Sequence, residues 1–198
     1  MMDINRWKIF ERRQQILMIG SEIMRAKVWQ YRDEDKFRAA SLVTYPARIL
    51  QEKARRVEII TPKIQELGSR MVEAMLAYQG IGLAAPQVGV SLRVIVVQDG
   101  ESALVCVNPE ITQRSKEEET EEEGCLSIPS VFLPIRRSSR VTVAYQDING
   151  ERTQRSVGGL VARIFQHEID HLNGILIIKR VGFWTRWKLR ARLRNIHG

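Results

Sequence analysis

His167-Glu168-Ile169-Asp170-His171 constrains this chain more than any other stretch. Histidines four residues apart share a face only where the backbone is helical, with one turn between them. Both imidazoles can then reach a single metal ion. Glu168, beside the first histidine, is placed to take a proton from an attacking water. The pattern reads as a metal-dependent hydrolase site carried on a helix. Two ligands are too few for such a site. The fold must bring a third donor to this helix from elsewhere in the chain.

Downstream sources fail. Ile177 stands six residues after His171, where an extended metalloprotease pattern has histidine. No Asp or Glu follows Asp170, and His197 is one residue from the C-terminus, where chains usually fray. No histidine lies upstream, so a cysteine or a carboxylate remains. Cys106 sits in Ala103-Leu104-Val105-Cys106-Val107, which reads as a buried strand with the cysteine as a small apolar filler. Cys125 sits in Glu123-Gly124-Cys125-Leu126-Ser127-Ile128-Pro129. Gly124 permits a close approach and Pro129 limits regular pairing. That context suits a ligand better than a core filler. Cys125, His167 and His171 would leave one tetrahedral position for water, as a catalytic site requires.

Three segments carry a family resemblance. Gly80-Ile81-Gly82-Leu83-Ala84-Ala85-Pro86-Gln87, Glu123-Gly124-Cys125-Leu126-Ser127 and Gln166-His167-Glu168-Ile169-Asp170-His171-Leu172-Asn173-Gly174 resemble the signature motifs of peptide deformylases, in the family's order and at similar spacing. The resemblance implies an α+β fold: mostly antiparallel β-sheets around a central metal-binding helix. It implies removal of the formyl group from N-formylmethionyl nascent peptides, with release of formate. It implies Gln87 and the backbone N–H of Leu126 as oxyanion donors, and Ile81 and Gly82 as substrate contacts. The implied ion is Fe²⁺, with Zn²⁺, Ni²⁺ or Co²⁺ as substitutes; the ligand types alone suit several divalent ions. One position departs from some bacterial members. Phe132 stands where they carry an arginine that contacts the substrate backbone, which leaves that recognition unassigned here.

Gly80-x-Gly82-x-x-Ala85 also superficially fits a dinucleotide fingerprint. That fingerprint needs a strand before it and a helix starting within it. Here a helical pattern comes before, and Pro86 obstructs a helix running on through Gln87.

Residues 1–43 read as an N-terminal extension, partly helical, with an apolar face of Ile16, Leu17, Ile19, Ile23 and Met24 and a solvated break at 33–36. Residues 44–178 read as the catalytic domain. Thr61-Pro62 suits a helix start. Ile64, Leu67, Met71, Met75 and Leu76 then form its apolar stripe, and Gly80 is placed to end it. Strands are expected over 92–97, 103–107, 141–145 and 175–178, with a tight turn at Asn149-Gly150. The charge run 116–123 reads as a solvated turn. A second helix is expected over 160–172, closed by Gly174.

Residues 179–198 read as a basic, helical tail with seven Lys and Arg and no acid, which supplies nearly all of the net charge of +8. Its bland role is a helix packed through Leu189, Leu193 and Ile196. Its sharper role is contact with the ribosome or ribosomal RNA, since clustered basic residues bind phosphate backbones. Phe183, Trp184 and Trp187 add an aromatic surface that also permits a membrane-interface contact.

At 44% hydrophobic and 27% charged, the composition fits a globular protein. No apolar run is long enough to span a bilayer. The first forty residues lack a secretory core and carry too many acids for a typical transit peptide. Two cysteines in unlike contexts suggest reduced thiols. A monomer in a bacterial-type cytoplasm is the expectation, with an organelle left open. Two rivals follow from the same residues. A metallopeptidase or other amidase shares the helix motif but lacks the downstream ligand. A non-catalytic RNA-binding module would have lost a ligand or the glutamate.

Overall fold

Val94, Ile95, Val96 and Val97 are all fully buried. An uninterrupted apolar run of this kind suits a strand covered on both faces. The computed structural model, which describes residues 42–194, shows how each face is covered. The run lies in β2 (Val94–Asp99). Val94 and Val96 pack with Met71, Ala74 and Met75 of α1 (Pro62–Ala77). Ile95 and Val97 pack with Ala162, Ile164, Phe165 and Ile169 of α2 (Gly159–Leu172). The two-residue period of one strand thus places its sheet between two helices.

That sheet holds β1 (Gly82–Ala84), β2, β3 (Ser102–Arg114), β6 (Arg140–Gln146) and β7 (Arg152–Gly158), in the order β1-β2-β3-β6-β7. All of its pairings are antiparallel, with Gly82 opposite Val97 at the β1 edge. A second, two-stranded sheet pairs β4 (Glu118–Cys125) with β5 (Ile128–Ser138). Its apolar face packs with Leu50, Leu176, Ile177, Ile178 and Leu189 in a separate cluster. Leu189 belongs to α3 (Phe183–Arg194). The α+β expectation holds, and α2 carries both motif histidines.

Several local expectations change. The charge run 116–123 is largely strand β4, not a solvated turn, because Glu121 and Glu123 meet arginines from β5 and α2. Residues 175–178 form no strand; Ile177–Lys179 is a 3-10 turn whose isoleucines fill the second sheet's core. At the end of α1 the left-handed residue is Gln79, with φ 55°. Gly80 instead donates its N–H to Met75 O at 2.8 Å. Thr61 precedes the helix with no side-chain cap bond, while Pro62 does occupy the first turn. The expected N-terminal helix and the break at 33–36 lie outside the described residues, as do Ile196 and His197.

Candidate active site

Cys125 ends β4 and is nearly buried, while His171 is fully buried on α2. Their Sγ and Nε2 atoms lie 3.2 Å apart. His167 Nε2 lies 3.3 Å from His171 Nε2. All three donor atoms fall within 4.8 Å of one another. Donors at the corners of a tetrahedron around a metal of this class stand about 3.4 Å apart, given metal–ligand bonds near 2.1 Å. The two edges that meet at His171 match that spacing, and the third donor pair stays within reach, so the residues fit a divalent ion. Cys106, by contrast, is buried inside β3, and burial pushes its thiol up to about 12. Both cysteines are free.

The charge around the three donors also favours a cation. Burial raises the Cys125 thiol, but the His171 charge and hydrogen bonds from both imidazoles outweigh it, and the pKa falls to about 5. Thiolate is the ligating form. Burial disfavours a charged His167, yet hydrogen bonds to Cys125 and Glu123 hold its pKa well above the usual range. A site that draws positive charge onto an imidazole attracts a metal ion by the same field.

Glu168 lies on the same helix and is 4% exposed. A Cβ added to Gly82 would stand 2.4 Å from Glu168 Oε1 and 2.7 Å from Ile164 Cγ2. Edge strand β1 therefore reaches the carboxylate only because residue 82 has no side chain. Glu168 Oε2 is buried and has no hydrogen-bond partner among the described residues. Burial raises the Glu168 pKa, the two imidazoles lower it, and Cys125 and Glu123 raise it again, to about 7. Arg163, on the same helix, pairs with Glu121 and Glu123.

Gln87 is 2% exposed, in the 3-10 turn Ala85–Val88. Ala84 N–H donates to Gln87 Oε1 at 2.8 Å. A backbone N–H can only donate, so the amide oxygen must face it. Gln87 Nε2 is left pointing to Ser127 Oγ at 3.2 Å and toward Cys125 Sγ at 3.9 Å. Leu126 directly follows Cys125 at the β4–β5 connection, half-buried against the α1 cluster. Ile81 is half-buried, and its carbonyl accepts from Gln98 N–H at 2.9 Å. Phe132 lies opposite Gly124 in the hairpin and is 67% exposed. A Cβ on Gly124 would meet its ring at 2.7 Å.

Residue-by-residue reading of the sequence missed the charged layer behind the donors. His167 Nδ1–H donates to Glu123 Oε2 at 3.0 Å. Arg137 Nε and Nη2 donate to the two Glu123 oxygens at 2.9 Å each. The usable signal is strand alternation: Glu121, Glu123 and Cys125 are spaced by two and so share a face of β4. Gln166 fixes the same helix to β5, giving Nε2–H to Ser138 O and accepting from Ser138 N–H.

Comparisons with known proteins follow the same geography. The polypeptide deformylase family pattern matches residues 39–187. A peptide deformylase of Thermotoga neapolitana is 46% identical over 148 residues, 75% of this chain and 90% of that protein. The crystal structure of peptide deformylase from Thermotoga maritima superposes with a TM-score of 0.70 at 42% identity, covering 71% of this chain and 96% of that one. That of the Ehrlichia chaffeensis enzyme, in complex with actinonin, gives 0.75 at 36% identity over 78% and 95%. The matched span takes in the β1 edge, Cys125 and both histidines, and on this ground the chain belongs to the peptide deformylase family.

Proposed function

We propose that this chain removes the formyl group from N-formylmethionyl nascent peptides and releases formate, with Cys125, His167 and His171 as ligands of one divalent ion. The convergence of those three donors beside a buried carboxylate carries the reading. When bound, the ion would act as a Lewis acid and bring the pKa of the attacking water toward about 7.

The chain's own groups supply the rest. Glu168 takes a proton from the attacking water as its hydroxyl adds to the formyl carbon. Gln87 Nε2–H and the Leu126 N–H donate to the oxygen that gains charge; a donor of this kind is typically worth about 10²–10³ in rate. Glu168 then returns the proton to the leaving nitrogen as the C–N bond breaks, leaving formate and a free amine. A pKa near 7 suits one group for both transfers. Gly82 and Ile81 lie on or beside an edge strand, so a substrate backbone can align there.

Formate release from a formyl-Met peptide, measured beside acetate release from the acetyl-Met analogue, tests this reading. A preference for formyl of roughly tens to a few hundredfold is expected, the scale of one extra methyl in a tight pocket. Comparable rates would revive the general amidase. The proposed ion is Fe²⁺. Activity of the iron-loaded protein is therefore expected to fall during incubation in air, through the metal or the Cys125 thiolate. Full activity after long exposure would overturn iron.

The proposed setting is a monomer in a bacterial-type cytoplasm, in contact with ribosomal RNA through the basic tail. Bacterial relatives support the bacterial-type part of that setting alone. No helix among the described residues is long and apolar enough to cross a membrane. Trp184 and Trp187 are exposed on α3 while Leu189 packs inward. Replacing Lys188, Arg190, Arg192 and Arg194 by glutamine is expected to cut ribosome co-sedimentation at low salt several-fold. The rate on short formyl peptides should not change. Unaltered co-sedimentation would refute the RNA contact.

A further inference from the structure

The proposed His167 ligand belongs to a buried chain of charges that ends at the root of the basic tail. Glu123 accepts from His167, from both Arg137 nitrogens named above and from Arg163 Nη1 at 2.8 Å, so Arg137 supplies two of its three guanidinium contacts. Arg137 Nη1 also donates to Asp170 Oδ2 at 2.5 Å. Arg180 Nε donates to the same Asp170 oxygen at 2.9 Å, and Arg180 Nη2 donates to Asp170 Oδ1. The side chains of Glu123, Arg137 and Asp170 are each less than a tenth exposed; Arg180 is 38% exposed and closes the chain at the surface.

We infer that Arg180 is a positioning residue for the metal centre, acting through Asp170, Arg137 and Glu123 on the His167 ring. The physical reason is competition for one guanidinium. Arg137 is shared between two buried carboxylates, and Asp170 is fully paired only with Arg180 in place. Without Arg180, Asp170 draws Arg137 toward itself, because an unpaired buried charge is costly. Arg137 then holds Glu123 less firmly, and Glu123 fixes both the tautomer and the angle of His167. Outer partners of metal-bound histidines are worth about 10–100-fold in metal affinity. Arg180 is three contacts further out than Glu123, so the lower end of that range applies.

This inference rests on the proposed ligand set, and the test separates the two. Full-length protein, Arg180→Gln and Arg180→Lys are each titrated with Co²⁺ against a competing chelator, recording the visible absorption of the bound ion. Lys188→Gln serves as a surface-charge control. The parent is expected to bind one Co²⁺ with sulfur-ligand absorption; if it does not, the ligand set itself is wrong. Arg180→Gln is expected to bind Co²⁺ roughly tenfold more weakly, with an altered spectrum, while the control matches the parent. Lysine keeps the charge but loses the two-pronged grip, so Arg180→Lys should fall between. Should Arg180→Gln fail to fold, Arg180→Lys carries the comparison alone. Affinity and spectrum equal to the parent in the folded variants, with only thermal stability lowered, would overturn the inference.

Discussion

Glu168→Gln protein is expected to bind its metal as tightly as the parent and to release formate roughly 10²–10⁴-fold more slowly, the range for losing a positioned general acid–base. Glutamine has nearly the shape of glutamate. It can fill the same space against Gly82 and Ile164 without disturbing the three donor atoms. It cannot accept the water's proton or return it to the amine. The effect should fall on kcat with little change in KM, because the lost contribution belongs to the reaction step. Metal content and kcat measured on the same preparation check this. A rate within tenfold of the parent, at full metal occupancy, would remove Glu168 from the proton transfers.

The second large effect concerns Cys125. Cys125→Ala leaves two imidazoles and no anionic donor, so tight metal binding and formate release should both fall to background. The thiol is the donor the site has prepared: both imidazoles bring its pKa down to about 5 against the effect of burial. Cys106→Ala makes the matching control, since that thiol is raised by burial and packs in the core outside the three-donor group. It should keep metal and activity. Metal per chain after removal of excess ion, together with formate release, reads both variants. A Cys125→Ala protein that retains one ion and near-parental activity would show that another group, with Glu123 the nearest carboxylate to His167, completes the site.

The helix histidines were legible because their spacing carries meaning only in one conformation. Elimination left a cysteine or a carboxylate, and the setting of Cys125 between Gly124 and Pro129, with the family resemblance, pointed to Cys125, which the fold places 3.2 Å from His171. Strand β2 was legible for a similar reason: four consecutive apolar residues have few alternatives to a doubly covered strand. What sequence reading lost depends on distant partners. A run of glutamates looks solvated until Arg137 and Arg163, 14 and 40 residues further on, neutralise Glu123. Asp170 has no partner in the local pattern, because its two arginines come from β5 and from beyond α2. The same blindness affected 175–178. Its isoleucines suggest a strand, but the segment packs as a tight turn beneath the second sheet, paired with no strand among the described residues. Local pattern reports periodicity and chemistry; it cannot report which oppositely charged side chain arrives from elsewhere.

Deformylation that depends on the proposed metal is most directly tested by titrating metal-free protein, prepared without oxygen, with Fe²⁺ while following formate release from a formyl-Met peptide. The expected result is negligible release without metal, a rise in proportion to added Fe²⁺, and a break at one ion per chain. Release by the metal-free protein as fast as by the loaded protein would contradict it.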